Sequence, residues 1–217
     1  LLALFIGVAY GVVQGFLISY LEIQPFIVSL AGLFFGRGLT SMISTEMISI
    51  KNKTFLAWAN YKIYLPIGSY SRRGKFLPAY IYPTVIIALL IVIIVAVIMK
   101  YTKFGREVYA VGGNEEAAKL SGVNVIKTKY IAYIFCGICA AIAGMIMLAS
   151  LGSAEATAGS GYETNAIAAA AIGGTRMAGG KGTALGTFIG ALMLAVLKVG
   201  MVVINVDSFW QFVVTGI

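Results

Sequence analysis

Histidine is absent from this sequence, and cysteine occurs only at Cys136 and Cys139. A zinc site takes three or four Cys, His or carboxylate ligands, so two thiols without histidine give no basis for one. The pair stands as CGIC within an apolar run, where a redox thiol would lack the polar, exposed surroundings it needs. We interpret both cysteines as buried apolar side chains and expect this chain to bind no metal.

Charge is also scarce, because charged residues make up 11% of the chain against roughly 25% in soluble domains. Hydrophobic residues make up 60% and the mean hydropathy is +0.94. They are gathered in long blocks that need lipid instead of one shared core. These features exclude a soluble domain and predict a membrane protein.

Five apolar blocks are long enough to cross a hydrocarbon layer, which takes about 20 helical residues. They run from Leu1 to Leu21, Phe26 to Ser44, Tyr80 to Met99, Tyr130 to Leu151 and Ala184 to Ile204. A sixth is expected to start at Phe209, with Asp207 or Ser208 as its cap. Because both ends of the sequence fall within apolar runs, we expect a fragment of a longer protein that lacks spans at both ends.

The net charge of +8 comes from Lys and Arg residues that flank the apolar blocks, which is typical of membrane topology and not of nucleic-acid binding. The polar segments 45–79 and 100–129 each carry six basic residues. The positive-inside rule therefore does not decide which of them is cytoplasmic.

Glycines repeat every four residues at Gly7, Gly11 and Gly15, at Gly32 and Gly36, and at Gly182, Gly186 and Gly190. This spacing places them on one helix face, where neighbouring backbones can approach closely. We expect a compact helical bundle.

The segment 104–125 predicts a short surface helix. Asn114 is a good N-cap, Glu115 and Glu116 favour the first turn, and Gly122 can end the helix. About seven residues are marginal as an isolated helix, so Ala117, Ala118 and Leu120 should pack against the protein's own body or a partner. A solvated loop helix is the alternative.

Paired glycines at 173–174 and 179–180 stand in the apolar segment 161–187. Such pairs break a helix and expose backbone amides, which a membrane tolerates only where protein or a water-filled cavity covers them. Broken helices of this kind often line transport pathways. The segment is either such a pathway for a neutral polyol or an external loop with close packing.

The GGKG stretch within this segment fails as a phosphate-binding loop. Thr175 stands where a Walker A motif requires its first glycine, and Gly182 stands where Ser or Thr must follow Lys181. ATP is therefore not expected to bind this chain by that route, and transport energy must come from another subunit or an ion gradient.

Ionisable residues within the spans are few, with Arg37 and Lys198 the evident ones. We expect Arg37 to face the helical bundle or to reach the membrane interface. It has either a structural role or a role in the pathway, and Glu163 is a candidate ion-pair partner.

The segments 26–40, 104–125 and 161–187 resemble the permeases of ribose, xylose and galactofuranose ATP-binding cassette (ABC) importers, within the branched-chain amino acid/ribose permease superfamily. The resemblance covers nearly the whole chain and is weakest in 45–79. It implies an all-α, polytopic transmembrane bundle forming one permease domain over 1–217. It also implies a cytoplasmic coupling loop at 100–129 and a periplasmic loop at 45–79, with tyrosines such as Tyr61 and Tyr64 at the membrane interface.

The resemblance implies two sets of site residues. ATPase coupling falls to Gly112, Gly113, Asn114, Glu115, Glu116, Ala117, Leu120 and Gly122. The translocation pathway falls to Arg37, Glu163, Asn165, Gly173, Gly174, Thr175, Gly179 and Gly180. No catalytic residue is expected.

The implied function is monosaccharide import through the bacterial inner membrane by a multi-pass subunit that is not an enzyme. Its implied partners are an ABC ATPase subunit that uses ATP, a periplasmic sugar-binding protein and a second, identical or homologous permease subunit. No cofactor is expected on this chain and no nucleic acid as partner. An ion-coupled secondary transporter or a channel for a small polar solute is the alternative.

Overall fold

The computed structural model of the chain describes residues 1–50, 52, 55, 57, 59–70, 76–207, 210 and 213, with the backbone alone at 65–70 and 76–78. In this part of the chain the helices are α1 (Leu2–Ser19), α2 (Pro25–Ile43), α3 (Pro83–Tyr101), α4 (Lys103–Gly113), α5 (Glu115–Leu120), α6 (Val125–Leu151), α7 (Tyr162–Ile172) and α8 (Ala184–Val203). The strands are β1 (Ile48–Ser49), β2 (Ile63–Tyr70), β3 (Phe76–Ile81) and β4 (Ser153–Ala154).

Five of these helices, α1, α2, α3, α6 and α8, are long and apolar enough to cross a membrane. They correspond to the five predicted spans, which are therefore confirmed with small shifts at their ends. Pro25 and Pro83 each open a helix, because proline lacks the N–H that a first turn leaves unbonded. The expected start of a sixth span at Phe209 lies outside the described residues.

The segment 45–79 contains strands that were not predicted from the sequence. β2 and β3 form an antiparallel hairpin with Ile63 opposite Ile81 and Tyr64 opposite Tyr80, and β1 pairs with β4. One proline lies within each hairpin strand, at positions 66 and 78, and proline in a sequence argues against a strand. The third span begins at Pro83, three residues after its expected start at Tyr80, because Tyr80 lies in β3. The described bundle is helical with one added hairpin.

The chain forms two compact units, one of residues 1–91 and 133–158 and the other of 92–132 and 159–217. In the first unit, glycines bring α1 against α6. A Cβ atom added to Gly7 would lie 2.6 Å from Cβ of Ala141, and one added to Gly11 would lie 2.7 Å from the carbonyl oxygen of Tyr133. The close backbone approach expected of these glycines is confirmed.

In the second unit, glycines bring α7 against α8 in the same way. A Cβ atom added to Gly190 would lie 2.8 Å from the backbone nitrogen of Gly173, and Gly186 lies against the carbonyl of that same residue. Gly36 of α2, by contrast, has no heavy atom within 4 Å of an added Cβ. The glycine spacing thus predicted tight packing correctly at two helix pairs and not at every position.

The spanning helices present most of their apolar surface outward. Only 6% of the most apolar window of α2, α3 and α6 is buried by the described chain. Cys136 on α6 is exposed and Cys139 is half-buried, so the prediction of two buried thiols was wrong. A helix that packs against lipid or another helix outside this chain needs apolar side chains there as much as in a core.

Candidate functional site

The polar segment 100–129, which was expected to be a loop with one short helix, is mostly helical. α4 begins after Thr102, whose Oγ1 accepts a hydrogen bond from the backbone N–H of Gly105 at 3.2 Å. Lys103 and Glu107 form an ion pair one turn apart at 3.6 Å. This cap and this i,i+4 pair were the signals that could have identified α4.

α5 matches the predicted short surface helix. Oδ1 of Asn114 accepts a hydrogen bond from the backbone N–H of Ala117 at 3.0 Å, and Gly122 follows the helix with φ +81°. Nζ of Lys129 lies 2.6 Å from Oε2 of Glu115, which ties α5 to the start of α6. The predicted cap, helix and glycine stop are confirmed.

The apolar residues of α5 divide between an inner and an outer face. Ala118 is 4% exposed, so it packs against the protein's own chain, whereas Leu120 is 91% exposed. Ala117 and Glu116 are also exposed. The expectation that all three apolar residues pack is met within this chain only by Ala118, which leaves a leucine at the tip of a capped helix.

The glycine pairs lie in the connection between α7 and α8, residues 173–183. We call this connection the turn 173–183. Gly173 follows the last residue of α7, and Gly174, Gly179 and Gly180 have φ of +81°, +86° and +75°. The backbone N–H of Arg176 donates to the carbonyl of Lys181 at 2.9 Å. The predicted helix break is therefore confirmed. Its three residues with positive φ adopt the left-handed conformation, which glycine takes more readily than other residues.

This turn packs directly on the end of α4. A Cβ atom added to Gly112 would lie 2.8 Å from the backbone nitrogen of Gly180, and one added to Gly180 would lie 2.5 Å from Cα of Gly113. We call Gly112, Gly113, Gly179 and Gly180 the glycine contact. Gly112 and Gly113 were predicted to serve coupling to the ATPase, and Gly179 and Gly180 were predicted to line the pathway. The sequence alone did not indicate that these two sets meet.

A polar pair lies at the other end of α7 and α8. Nζ of Lys198 donates a hydrogen bond to Oδ1 of Asn165 at 2.6 Å. The two side chains, with Tyr162, Leu194 and alanines of both helices, line a cavity of about 390 Å³. The sequence had marked Lys198 only as a rare ionisable group within a span, because its partner is 33 residues away.

The predicted pathway residues therefore fall at different places. At 1.5 Å per helical residue, Lys198 lies roughly 21 Å along α8 from Ala184, where the turn ends. Asn165 lies beside Lys198, and Glu163 lies within the same first turn of α7. Gly173, Gly174, Thr175, Gly179 and Gly180 lie in the turn at the opposite end, with Thr175 Oγ1 3.3 Å from Thr187 Oγ1.

With this geometry in hand, comparison with known proteins identifies the family. The family described as "Branched-chain amino acid transport system / permease component" matches residues 1–217. The chain belongs to this family. The resemblance stated from the sequence motifs is thereby confirmed, and the five helices of spanning length agree with a multi-pass membrane chain.

Several relatives of the chain are named as sugar import or transport permeases. The ribose import permease protein RbsC of Escherichia coli (strain K12) is 39% identical over 99% of the chain and 64% of its own length. RbsC of Bacillus subtilis (strain 168) is 40% identical over 94% of the chain and 60% of its length. The xylose transport system permease protein XylH of Haemophilus influenzae is 34% identical over 97% of the chain and 69% of its length. The chain thus spans less than two thirds of the two ribose permeases, and no solved structure matches it.

The remaining predicted site residue of this chain, Arg37, lies in the first unit on α2, with an exposed side chain. Its pairing with Glu163 stays a prediction. Among the described residues, no group of three or more His, Cys, Asp and Glu side chains is suited to hold a metal ion.

Proposed function

We propose that the complete protein is the membrane-spanning permease subunit of an ABC importer that carries a monosaccharide across the inner membrane. The support is the family membership together with relatives named for import of ribose, xylose, galactose and fructose. These solutes are small, neutral polyols, and the apolar spans of this chain offer them a few hydrogen-bonding groups.

The observation that carries the proposal is the form of α5. This six-residue helix is capped by Asn114 and seated on the protein through Ala118, and it directs Leu120 outward. A helix this short depends on packing against the rest of the protein for its stability. Its outer face therefore has a fixed position to which a partner can bind. An apolar side chain that is 91% exposed at the tip of such a helix suits a groove on a separate ATPase subunit.

Motion of that ATPase would pass inward through the glycine contact. Gly112 and Gly113 lie directly before α5, and they touch the backbone of Gly179 and Gly180 without intervening side chains. Backbone contacts of this kind leave little slack, because closely packed groups transmit displacement instead of absorbing it. A shift of α5 would therefore displace the turn that connects α7 and α8.

The translocation pathway in this proposal includes the cavity at Asn165 and Lys198. An ammonium and an amide are donors and acceptors that suit sugar hydroxyls, and Tyr162 adds a ring that can lie against the apolar face of a sugar. Glu163 and the turn residues Gly173, Gly174, Thr175, Gly179 and Gly180 remain assigned to the pathway as barrier or lining groups. Arg37 of the first unit stays a separate pathway proposal.

The partners in this proposal are those of an import system. An ATPase subunit that hydrolyses ATP binds at α5 from the cytoplasm, and a periplasmic sugar-binding protein docks on the segment 45–79. A second permease subunit completes the channel. This chain itself contributes neither the nucleotide site nor a cofactor.

Uptake by the reconstituted complete system tests the proposal. Vesicles containing the full-length permease and its ATPase subunit, supplied with the sugar-binding protein, should accumulate labelled ribose, xylose, galactose or fructose only when ATP is present. Leu120→Asp should abolish ATP-dependent uptake, whereas Leu120→Met, which keeps the apolar contact, should retain it. Uptake driven by an ion gradient without ATP, or equal uptake by the two Leu120 variants, would contradict the assignment.

A further inference from the structure

A second cavity lies at the end of α3, at the level where the chain leaves the apolar span. It has a volume of about 590 Å³, and all of its lining residues belong to the second compact unit. Lys100, Arg106 and Lys181 contribute to its walls, and none of the lining residues is acidic. The cavity is therefore strongly cationic.

These three cations have no carboxylate partner in the described residues. The ion pairs there use Lys103 with Glu107 and Lys129 with Glu115. Arg106 donates only a long hydrogen bond, 3.4 Å from Nη1 to the carbonyl of Tyr101, and Lys100 lies near the same residue's ring, 5.3 Å from its centroid. Three like charges around one cavity repel each other, so a bound anion would stabilise the arrangement.

Apolar side chains form another part of the cavity wall. Ala96 and Met99 come from the last turns of α3, and Ala184 and Leu185 from the first turn of α8. Leu185 is 60% exposed. The cavity thus has a cationic part above the ends of two spanning helices and an apolar part between them, and the positive end of the α8 dipole adds to the charge.

One type of ligand combines an anion with an apolar chain at this depth. We propose that this cavity binds the phosphate headgroup of an anionic phospholipid, with the first part of an acyl chain lying against Met99 and Leu185. Basic pockets between transmembrane helices at the membrane surface bind such headgroups. This inference is independent of the proposed sugar import and of which leaflet the cavity faces.

The cavity is also placed to influence the rest of the second unit. Tyr109 lines it and donates its hydroxyl hydrogen to the carbonyl of Gly182 at 2.8 Å, and Gly180 of the glycine contact lines it too. A lipid bound here would hold α3, α4 and the turn 173–183 together. We therefore expect the lipid to stabilise the folded protein.

Lipid binding to the purified full-length protein tests this inference without any measurement of transport. Native mass spectrometry and thermal unfolding in neutral detergent would be compared with phosphatidylglycerol, phosphatidylcholine and inorganic phosphate. We expect phosphatidylglycerol to bind and raise the unfolding temperature, and the other two to do neither. Replacing Lys100, Arg106 and Lys181 by Gln should weaken binding about a hundredfold, roughly fivefold for each basic residue.

The matched control replaces Lys103, Lys119 and Lys127 by Gln, which removes equal charge from the same region without touching the cavity. This control should bind the lipid as the unchanged protein does. If the triple cavity variant fails to fold, Lys181→Gln alone, at an exposed turn position, should still weaken binding about fivefold. Equal binding of phosphatidylcholine, an equal effect of inorganic phosphate, or unchanged binding by the cavity variants would overturn the inference.

Discussion

The hydroxyl of Tyr109 donates a hydrogen bond to the backbone carbonyl of Gly182 at 2.8 Å, across 73 residues of sequence. It connects α4 with the turn 173–183, directly beside the glycine contact. The segments 104–125 and 161–187, which resemble the permease family, therefore pack against each other. Tyr109 and the glycine contact form the interface between them.

Tyr109→Phe should weaken the packing of α4 against the turn 173–183. The substitution removes one hydrogen bond and leaves the carbonyl of Gly182 without that donor, at a cost of about 1 kcal/mol. We expect the unfolding temperature of the purified protein to fall, and ATP-dependent uptake to fall with it. Tyr101→Phe is the control, since that residue is 67% exposed, and an equal loss of stability in both variants would refute the prediction.

Gly180→Ala should be more damaging than the loss of that hydrogen bond. The new Cβ would lie 2.5 Å from Cα of Gly113, on a residue whose φ is +75°, and the left-handed conformation alone costs roughly 1–2 kcal/mol for a residue with a side chain. Gly200→Ala places a methyl group where no heavy atom lies within 4 Å. Thermal unfolding should separate the two variants clearly, and similar unfolding temperatures would show that the contact is unimportant.

Asn114→Ala should weaken the coupling between the permease and its ATPase subunit. It removes the cap of α5 and costs about 0.5–2 kcal/mol, which a six-residue helix cannot absorb. Asn124→Ala removes a similar cap from α6, where Oδ1 of Asn124 accepts from Lys127, but α6 has 27 residues. We expect sugar-stimulated ATPase activity to fall in the first variant only. Asn114→Ser should retain the sugar-stimulated ATPase activity, because serine is also a preferred N-cap residue.

Lys198→Met should lower uptake strongly but measurably, while the ATPase subunit still binds. The change leaves the amide of Asn165 without its charged partner, in a cavity where sugar recognition is proposed. Asn165→Leu should have a similar effect, and the double variant should be little worse than either one, because the two side chains act together. Fully additive losses would mean that the pair is not a functional unit.

Labelling from each side tests the proposed topology. With Cys136 and Cys139 replaced by Ala, a cysteine introduced at Glu116 should react with an impermeant maleimide only from the cytoplasmic side. A cysteine introduced at Ser69 should react only from the periplasmic side. The reverse pattern would place the α5 surface where no ATPase can reach it.

The sequence predicted well those features that depend on neighbouring residues. Asn114 and Gly122 bound α5 because capping acts within one turn, and the five spans follow from apolar runs of sufficient length. The hairpin of β2 and β3 was missed because Pro66 and Pro78 hide the strand pattern. The pairing of Lys198 with Asn165 was missed because no local pattern indicates which residues of two helices meet.

By itself, the sequence determined that this is a helical membrane protein with a capped surface helix and a glycine-broken segment. These properties depend on backbone hydrogen bonding and on the cost of placing polar groups in lipid. Only the tertiary structure decided that Gly112 meets Gly180, that Asn165 meets Lys198, and that three basic residues surround one cavity. Helix packing decides such meetings, because glycine spacing shows which face can approach closely but leaves the partner face open.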